Sequence, residues 1–352
     1  MKRVLVTGAG GYIGSVLVPK LLEKGYKVRA IDRFYFGIDK LTPHENLEII
    51  KDDVRFLKEE VFKDVDFLID LVAISNDPSG DRFGEATWQI NYKSRVRNAK
   101  LAKEMGVKRY ILPSSCSIYG FQEDIVDETS PTNPLTTYAK ANEKAEQDIL
   151  PLSSKEFCVT VIRQATVFGY SPRMRFDLAI NGMVYGAWKT GKLPLMRDGS
   201  QYRPFVHVAD TSEVMILLCE FPDIDKINGQ IFNVGGDDLN YRIGELGEKV
   251  AKIVQEKTGK EVEIEWYGDP DKRSYRVSFK KIREVLGWRP SRKAEDGITE
   301  LIEKLEAGLL DKTTETITLE WYTQLEKWYR IIKELDMYGG ILNVKMGEGV
   351  EI

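Results

Sequence analysis

The segment 7-TGAGGYIG-14 spaces Gly8, Gly11 and Gly14 three residues apart, directly after an apolar run and at the start of a helical pattern. Glycine at the first position permits a tight turn and at the second a close approach of backbone to a pyrophosphate. At the third it lets helix pack on strand, and the N–H groups of the helix start face an anion. The next apolar run ends at Asp32. A carboxylate there accepts from both hydroxyls of an adenine ribose and repels a 2′-phosphate, which favours NAD over NADP. Arg33, the next residue, is the one able to hold such a phosphate instead. Strand, glycine turn, helix and second strand follow in the order that separates a dinucleotide site from an incidental glycine turn. The 2 histidines (His44, His207) and the 3 cysteines, with no CxxC, argue against a His-rich metal centre, a zinc site and a disulfide framework.

The elements that must hold this site alternate between strand and helix. Apolar runs at 3–8, 27–32, 47–53, 66–73, 109–115 and 157–169 suit strands buried on both faces of a parallel sheet, with helical patterns near 12–24, 85–106 and 136–150. The alternation predicts an α/β protein with a Rossmann-type doubly wound parallel sheet. Pro19 falls inside the first helix, where it is expected to kink the helix or free a carbonyl near Ser15. After about residue 170 the alternation fades. Helices are expected at 177–188, 209–221, 240–258 and 279–307, a strand at 230–236 that returns to the sheet, and another strand at 261–266. The chain is therefore divided into an NAD-binding Rossmann domain at 1–170, a smaller mixed substrate-binding lobe at 171–310 and a C-terminal helical extension at 311–352. Leu319, Tyr322, Leu325, Tyr329 and Ile332 recur at helical spacing in the extension, a stripe that suits either packing or a subunit contact.

Composition narrows the function classes. A formal net charge of −4 over 352 residues argues against a generally basic nucleic-acid surface. No apolar run reaches the roughly 18 residues that a membrane span needs. The N-terminus shows no apolar segment followed by a cleavage site, so a cytoplasmic location is expected.

The glycine turn and Asp32 are followed by 51-KDDV-54, 71-LVA-73, Asn91, 114-SSCSIYG-120, Tyr138, 203-RPFVHVADTSEV-214, 232-FNVGG-236 and 286-LGWRP-290. This series resembles the extended short-chain dehydrogenases/reductases, the NAD-dependent nucleotide-sugar epimerases and dehydratases, over residues 1 to about 305. The resemblance implies NAD as cofactor, with Gly8, Gly11, Tyr12, Ile13 and Gly14 at the turn and Asp32 and Arg33 at the ribose. It implies Asp53 and Val54 at the adenine, Leu71, Val72 and Ala73 along ribose and phosphates, and Asn91 behind the cofactor. It also implies a nucleotide-sugar substrate, and a homodimer is expected.

The family's chemistry uses a Ser or Thr, a Tyr, and a Lys four residues after the Tyr. The phenolate takes a proton from a sugar hydroxyl while hydride leaves the same carbon, and a phenol of ordinary pKa near 10 needs a cation nearby to do so. Ser115 and Tyr138 match the first two positions, but the lysine position holds Asn142. Asn142 can hydrogen-bond a ribose hydroxyl and supplies no charge. Lys140 and Lys144 flank it on other faces of the helix. The two residues after Ser115 are Cys116 and Ser117, where the 4,6-dehydratases carry Asp and Glu, so water elimination is not expected. Epimerisation at C4 through a 4-keto sugar is the leading reading. A nucleotide-sugar ketoreductase or dehydrogenase, a nucleophilic Cys116, and a cofactor-binding protein with impaired catalysis remain as alternatives. For the sugar nucleotide, the resemblance points to Arg203, Asp271, Arg273 and Arg276, with Arg173 and Arg175 as further candidates, and to Ser117, Thr166 and Asn181 near the sugar. Gly268 stands where the family has an arginine, so Lys272 or Arg273 is expected to take its part, and Thr166 stands where the family has an asparagine. His207 reads as structural.

Overall fold

The structure, a computed structural model, describes residues 1–336. Its apolar runs pair into one parallel sheet: β1 (Arg3–Thr7), β2 (Lys27–Asp32), β3 (Leu47–Lys51), β4 (Phe67–Asp70), β5 (Arg109–Ser115), β6 (Cys158–Gln164) and β7 (Gln230–Val234). The spatial order is β7-β6-β5-β4-β1-β2-β3. Side chains alternate across the sheet: Val4 and Val6 of β1 enter one apolar cluster and Leu5, with Ile31, enters the other. The strand order turns at β1 and β4, so a crevice opens beyond their carboxyl ends. Buried Asp70 pins that edge: Thr7 Oγ1 donates to one carboxylate oxygen and Tyr110 Oη to the other, at 2.6 Å.

The 157–169 run is two strands. Ala165 N donates to Val234 O at 2.9 Å, and Thr166–Phe168 then leaves the main sheet to pair in parallel with Tyr202–His207. The run thus carries the chain from the sheet into the second part. There, helices Ala179–Thr190, Ile243–Thr258 and Ala294–Glu306 pack around Leu193, Leu195, Leu246 and Ile298. The helix expected at 279–307 is also two, Lys280–Leu286 and Ala294–Glu306, because Gly287 closes the first with φ of +66° and Pro290 follows. The helical pattern at 85–106 contains a wide π-turn, Trp88–Ser94, before the regular helix Arg95–Glu104. Such turns admit an extra residue and rotate the side chains of the next helical turn. The first helix, Gly14–Glu23, runs through Pro19.

The final described helix, Thr318–Leu335, lies back across the first half of the chain. Trp321 Nε1 donates to Tyr35 O at 2.7 Å, and the Tyr322 ring meets Tyr35, Phe36 and Phe83 at 6.2, 5.7 and 6.2 Å. Its first turns therefore pack, while Trp328, Tyr329, Ile332 and Leu335 stay exposed. The remainder of the extension, 337–352, lies outside the described residues. Among the described residues no helix is long and apolar enough to cross a membrane, and no cluster of His, Cys, Asp and Glu could hold a metal ion.

Candidate active site

A cavity of about 1010 Å³ runs along the carboxyl edge of the sheet, between it and the second part of the chain. That is at the top of the range for a single small-molecule pocket. At one end lies the glycine turn. Gly8 has φ of +67°, and a Cβ there would sit 2.8 Å from Val72 N. A Cβ on Gly11 would meet only Gly8 O, at 3.1 Å, so its other side opens to the cavity. Tyr12, Ile13 and Gly14 line the same end, as do Val54, Leu71, Val72 and Ala73. This cradle and the helix start beside it fit the pyrophosphate of a dinucleotide.

Asp32 ends β2 at the cavity wall. Its Oδ2 accepts from Gly10 N at 3.1 Å and its Oδ1 from Phe34 N at 2.7 Å. Burial pushes this carboxyl up, against the downward pull of those backbone donors. Arg33 and Arg55 both pair with Asp53, at 3.1 and 2.7 Å, and Arg33 lies over the Tyr35 ring. Arg33 is thus already engaged. Asn91, fully buried, does not line the cavity. It accepts from Ile74 N at 2.8 Å and donates to Ile74 O at 3.0 Å, holding the segment after β4 from behind. Asp32→Ala is expected to weaken NAD binding by roughly 1.5–3 kcal/mol, the worth of a hydrogen bond to a charged group, and to relax discrimination against NADP. Calorimetric titration with both dinucleotides checks this, and an unchanged NAD affinity rules out the ribose role.

The candidate catalytic residues come from β5 and the helix Thr137–Ile149. Ser115 ends β5, and its Oγ accepts from Ser117 N at 3.1 Å. Thr136 caps the helix by accepting from Ala139 N at 3.2 Å. Tyr138, Asn142 and Glu146, spaced by four, share one helix face. Glu146 accepts from Ser114 Oγ and pairs with Arg163 of β6 at 2.8 Å, the two side chains 4% and 7% exposed. A buried ion pair therefore bolts this helix to the sheet. From the other side Gly80 leaves room for Tyr138: a Cβ there would stand 2.9 Å from the tyrosine's Cβ. Ser115, Ser117 and Tyr138 line the cavity. Burial raises the Tyr138 phenol above its ordinary range; Arg95 pulls it down, Asp77 pushes it up, and the polar contacts of Ser115 and Asn142 lower it. Asn142 is buried behind Tyr138, off the cavity wall, and its Oδ1 accepts from Arg95 Nη1 at 2.9 Å.

Cys116 is buried and off the wall, its Sγ donating to Arg163 O at 3.2 Å, and burial pushes its thiol up. Neither feature favours Cys116 as a nucleophile. His207 is buried against Glu300, at 3.0 Å, and caps the helix Val208–Glu220.

The residues expected at the sugar nucleotide divide. Thr166, Arg203, Asp271 and Arg273 line the cavity, whereas Lys272 does not. Asp271 accepts from Arg203 at 2.8 Å and Arg273 at 2.7 Å, and Arg273 also pairs with Asp77. Burial disfavours the charge on Asp271, but the two arginines outweigh it and hold its carboxyl below the usual range. Two of the expected residues lie elsewhere. Asn181 is fully buried, bridging Gly169 N, Tyr12 Oη and Arg175 O, because its helix turns that face into the core. Arg276 points away from the cavity, donating to Glu123 O at 2.9 Å over the Tyr202 ring. Sequence reasoning missed Asn76, Asp77, Arg95, Phe36 and Tyr322 on the cavity wall. Of these, Arg95, four residues after Asn91 on the expected helix, and Tyr322, in the helical stripe of the extension, carried a local signal.

The model of the NAD dependent epimerase/dehydratase family matches residues 4–235, and the chain belongs to that family. It is thus an NAD-dependent enzyme of the nucleotide-sugar epimerase/dehydratase type. The chain is similar to UDP-glucuronic acid decarboxylase 1 of Danio rerio, 26% identical over 313 residues that cover 86% of this chain and 72% of that one. It is 28% identical to UDP-glucuronic acid decarboxylase 6 of Arabidopsis thaliana over 311 residues, 84% and 86% of the two chains. Among solved structures, MoeE5 in complex with UDP-glucose and NAD superposes with a TM-score of 0.76 at 25% identity, covering 88% of this chain and 100% of that one. UDP-glucuronic acid 4-epimerase from Bacillus cereus has the same fold, with a TM-score of 0.77 at 21% identity over 87% and 99% of the chains.

Proposed function

We propose that the protein epimerises a nucleotide-activated sugar, with uridine diphosphate as carrier, at C4 through a 4-keto intermediate. The observation that carries this reading is that Ser115 and Tyr138 share a wall on which Asp77, Asp177 and Asp271 are each committed to arginines. Asp77 pairs with Arg273, Asp177 with Arg175, and Asp271 with both Arg203 and Arg273. Elimination of water needs a free acid and base, and this wall offers the phenol and a hydroxyl instead. Tyr138 takes the proton from the C4 hydroxyl and returns it, and Ser115 holds the same oxygen. When bound in the glycine cradle, NAD supplies the hydride acceptor at C4. Arg203 and Arg273, held in place by Asp271, meet the diphosphate.

A second reading is favoured by the decarboxylases among the relatives. A 4-keto hexuronate is a β-keto acid and can lose CO2 without a carboxylate base, so the same two residues suffice. Incubation with NAD and a panel of UDP-hexoses and UDP-hexuronates, followed by NMR, tests both. The C4 epimer without CO2 or net NADH is expected. A UDP-pentose with CO2 establishes the second reading, stoichiometric NADH with an oxidised sugar establishes a dehydrogenase, and no product with NAD bound overturns all three.

A further inference from the structure

Arg95 opens the regular helix that follows the π-turn and is among the largest fully buried side chains of the molecule, 1% exposed. Its side chain reaches the cavity wall. Its one side-chain hydrogen bond among the described residues runs from Nη1 to Asn142 Oδ1 at 2.9 Å, and its Nε, like Asn142 Nδ2, has no partner. No carboxylate of the described residues forms an ion pair with it. Asp70, which shares Tyr110 with Arg95, is taken up by Thr7 and Tyr110. A guanidinium buried without a counter-ion is costly and is normally compensated. Here the group it faces is the helix face of Tyr138 and Asn142.

From this juxtaposition we infer that Arg95 supplies, through Asn142, the positive charge behind the Tyr138 phenol that a lysine at position 142 would otherwise provide. Arg95 is a positioning residue. It touches Asn142, and its field bears on Tyr138. The inference rests on Tyr138 being the base of the proposed reaction. It accounts for the neutral residue at 142: an ammonium there would stand beside the buried guanidinium, and like charges at such separation repel strongly. The arrangement moves the cation from the helix of Tyr138 to the neighbouring helix and leaves an amide as the link. Arg95 is the largest of the influences that lower the phenol's pKa. The other groups around the phenol are Asp77, which opposes it, and the uncharged Ser115 and Asn142. Around Arg95 itself stand Tyr110 and, beyond it, Asp70.

Two readouts test this on the full chain loaded with NAD. One is the titration of Tyr138, taken as phenolate absorbance of each protein minus its Tyr138→Phe counterpart. The other is the pH profile of the sugar-oxidation rate. Arg95→Gln is expected to raise the phenol's titration and the rising limb of the rate by about 1–3 pH units, the usual effect of an opposite charge at 4–6 Å. Arg95→Lys should stay near the wild type, and Arg95→Gln with Asn142→Lys should return both readouts toward it. A folded Arg95→Gln protein with an unmoved titration overturns the inference, as does an Arg95→Lys protein that shifts as far as Arg95→Gln. Should Arg95→Gln fail to fold, the double variant decides: a titration at or below that of the wild type upholds the exchange of one cation for the other, and one above it overturns it. If Tyr138→Phe keeps its turnover, the base assignment fails instead, and the absorbance titration still reports whether Arg95 acts on the phenol.

Discussion

Tyr138→Phe should lower turnover by about 10²–10⁴-fold, the usual contribution of a general base, while NAD binds almost as before. Only the phenolic oxygen is removed, and the ring still fills its place between Gly80 and the cavity. The pH dependence of the wild type follows from the same group. Its phenol is held above the ordinary range by burial, and in the proposed reaction the active form is the ionised one. The fraction of active enzyme therefore rises with pH through neutrality and well into the alkaline range, with no plateau near pH 7. Rate measurements from neutral to alkaline pH, on wild type and variant, check both statements. Turnover retained by the folded variant would show that the proton is handled elsewhere, and a profile flat from neutral pH upward would show that the phenol's burial is not felt.

The largest expected effect on stability comes from Glu146. Glu146→Gln leaves Arg163 buried with its guanidinium facing Tyr119 Oη at 3.0 Å and an amide where a carboxylate stood. Removing one partner of a buried ion pair costs about 3–5 kcal/mol. Chemical denaturation should register that loss, and turnover should fall at temperatures below unfolding, since the same helix face carries Tyr138 and Asn142. Replacing both partners, as in Glu146→Leu with Arg163→Met, should cost less than the single change, because no charge is stranded. A loss below about 1 kcal/mol for Glu146→Gln would mean that the pair is not what anchors the helix.

Local spacing made the glycine-turn end of the cavity readable. The glycine turn, Asp32, Ser115 and Tyr138 each sit at the end of an apolar run or the start of a helix, where sequence position and spatial position coincide. The seven sheet strands follow from apolar runs for the same reason. The features that escaped were set by orientation and by long-range packing. Asn181 and Arg276 are polar residues on elements whose polar faces turn into the core and away from the cavity, respectively, and spacing alone does not say which. Arg95 acquires its place from a π-turn and from a helix 47 residues further along the chain. The break at Ala165 was hidden inside one strand-like run, because both halves are strands and only their partners differ.

The helix laid across the first half of the chain has an optical consequence. The molecule has 6 tryptophans, and Trp321 is joined through its indole N–H to the carbonyl of Tyr35, a residue of the cavity wall beside Arg33. Its ring also meets Trp328 edge-on at 5.5 Å. Indole emission depends on hydrogen bonding and on neighbouring rings, so any rearrangement of Tyr35 when the ribose end fills is transmitted to this fluorophore. The protein thus carries its own lamp at the wall of the cavity. A difference spectrum against Trp321→Phe would isolate that lamp's light from the remaining tryptophans and follow cofactor arrival and departure in real time, without a label and without turnover.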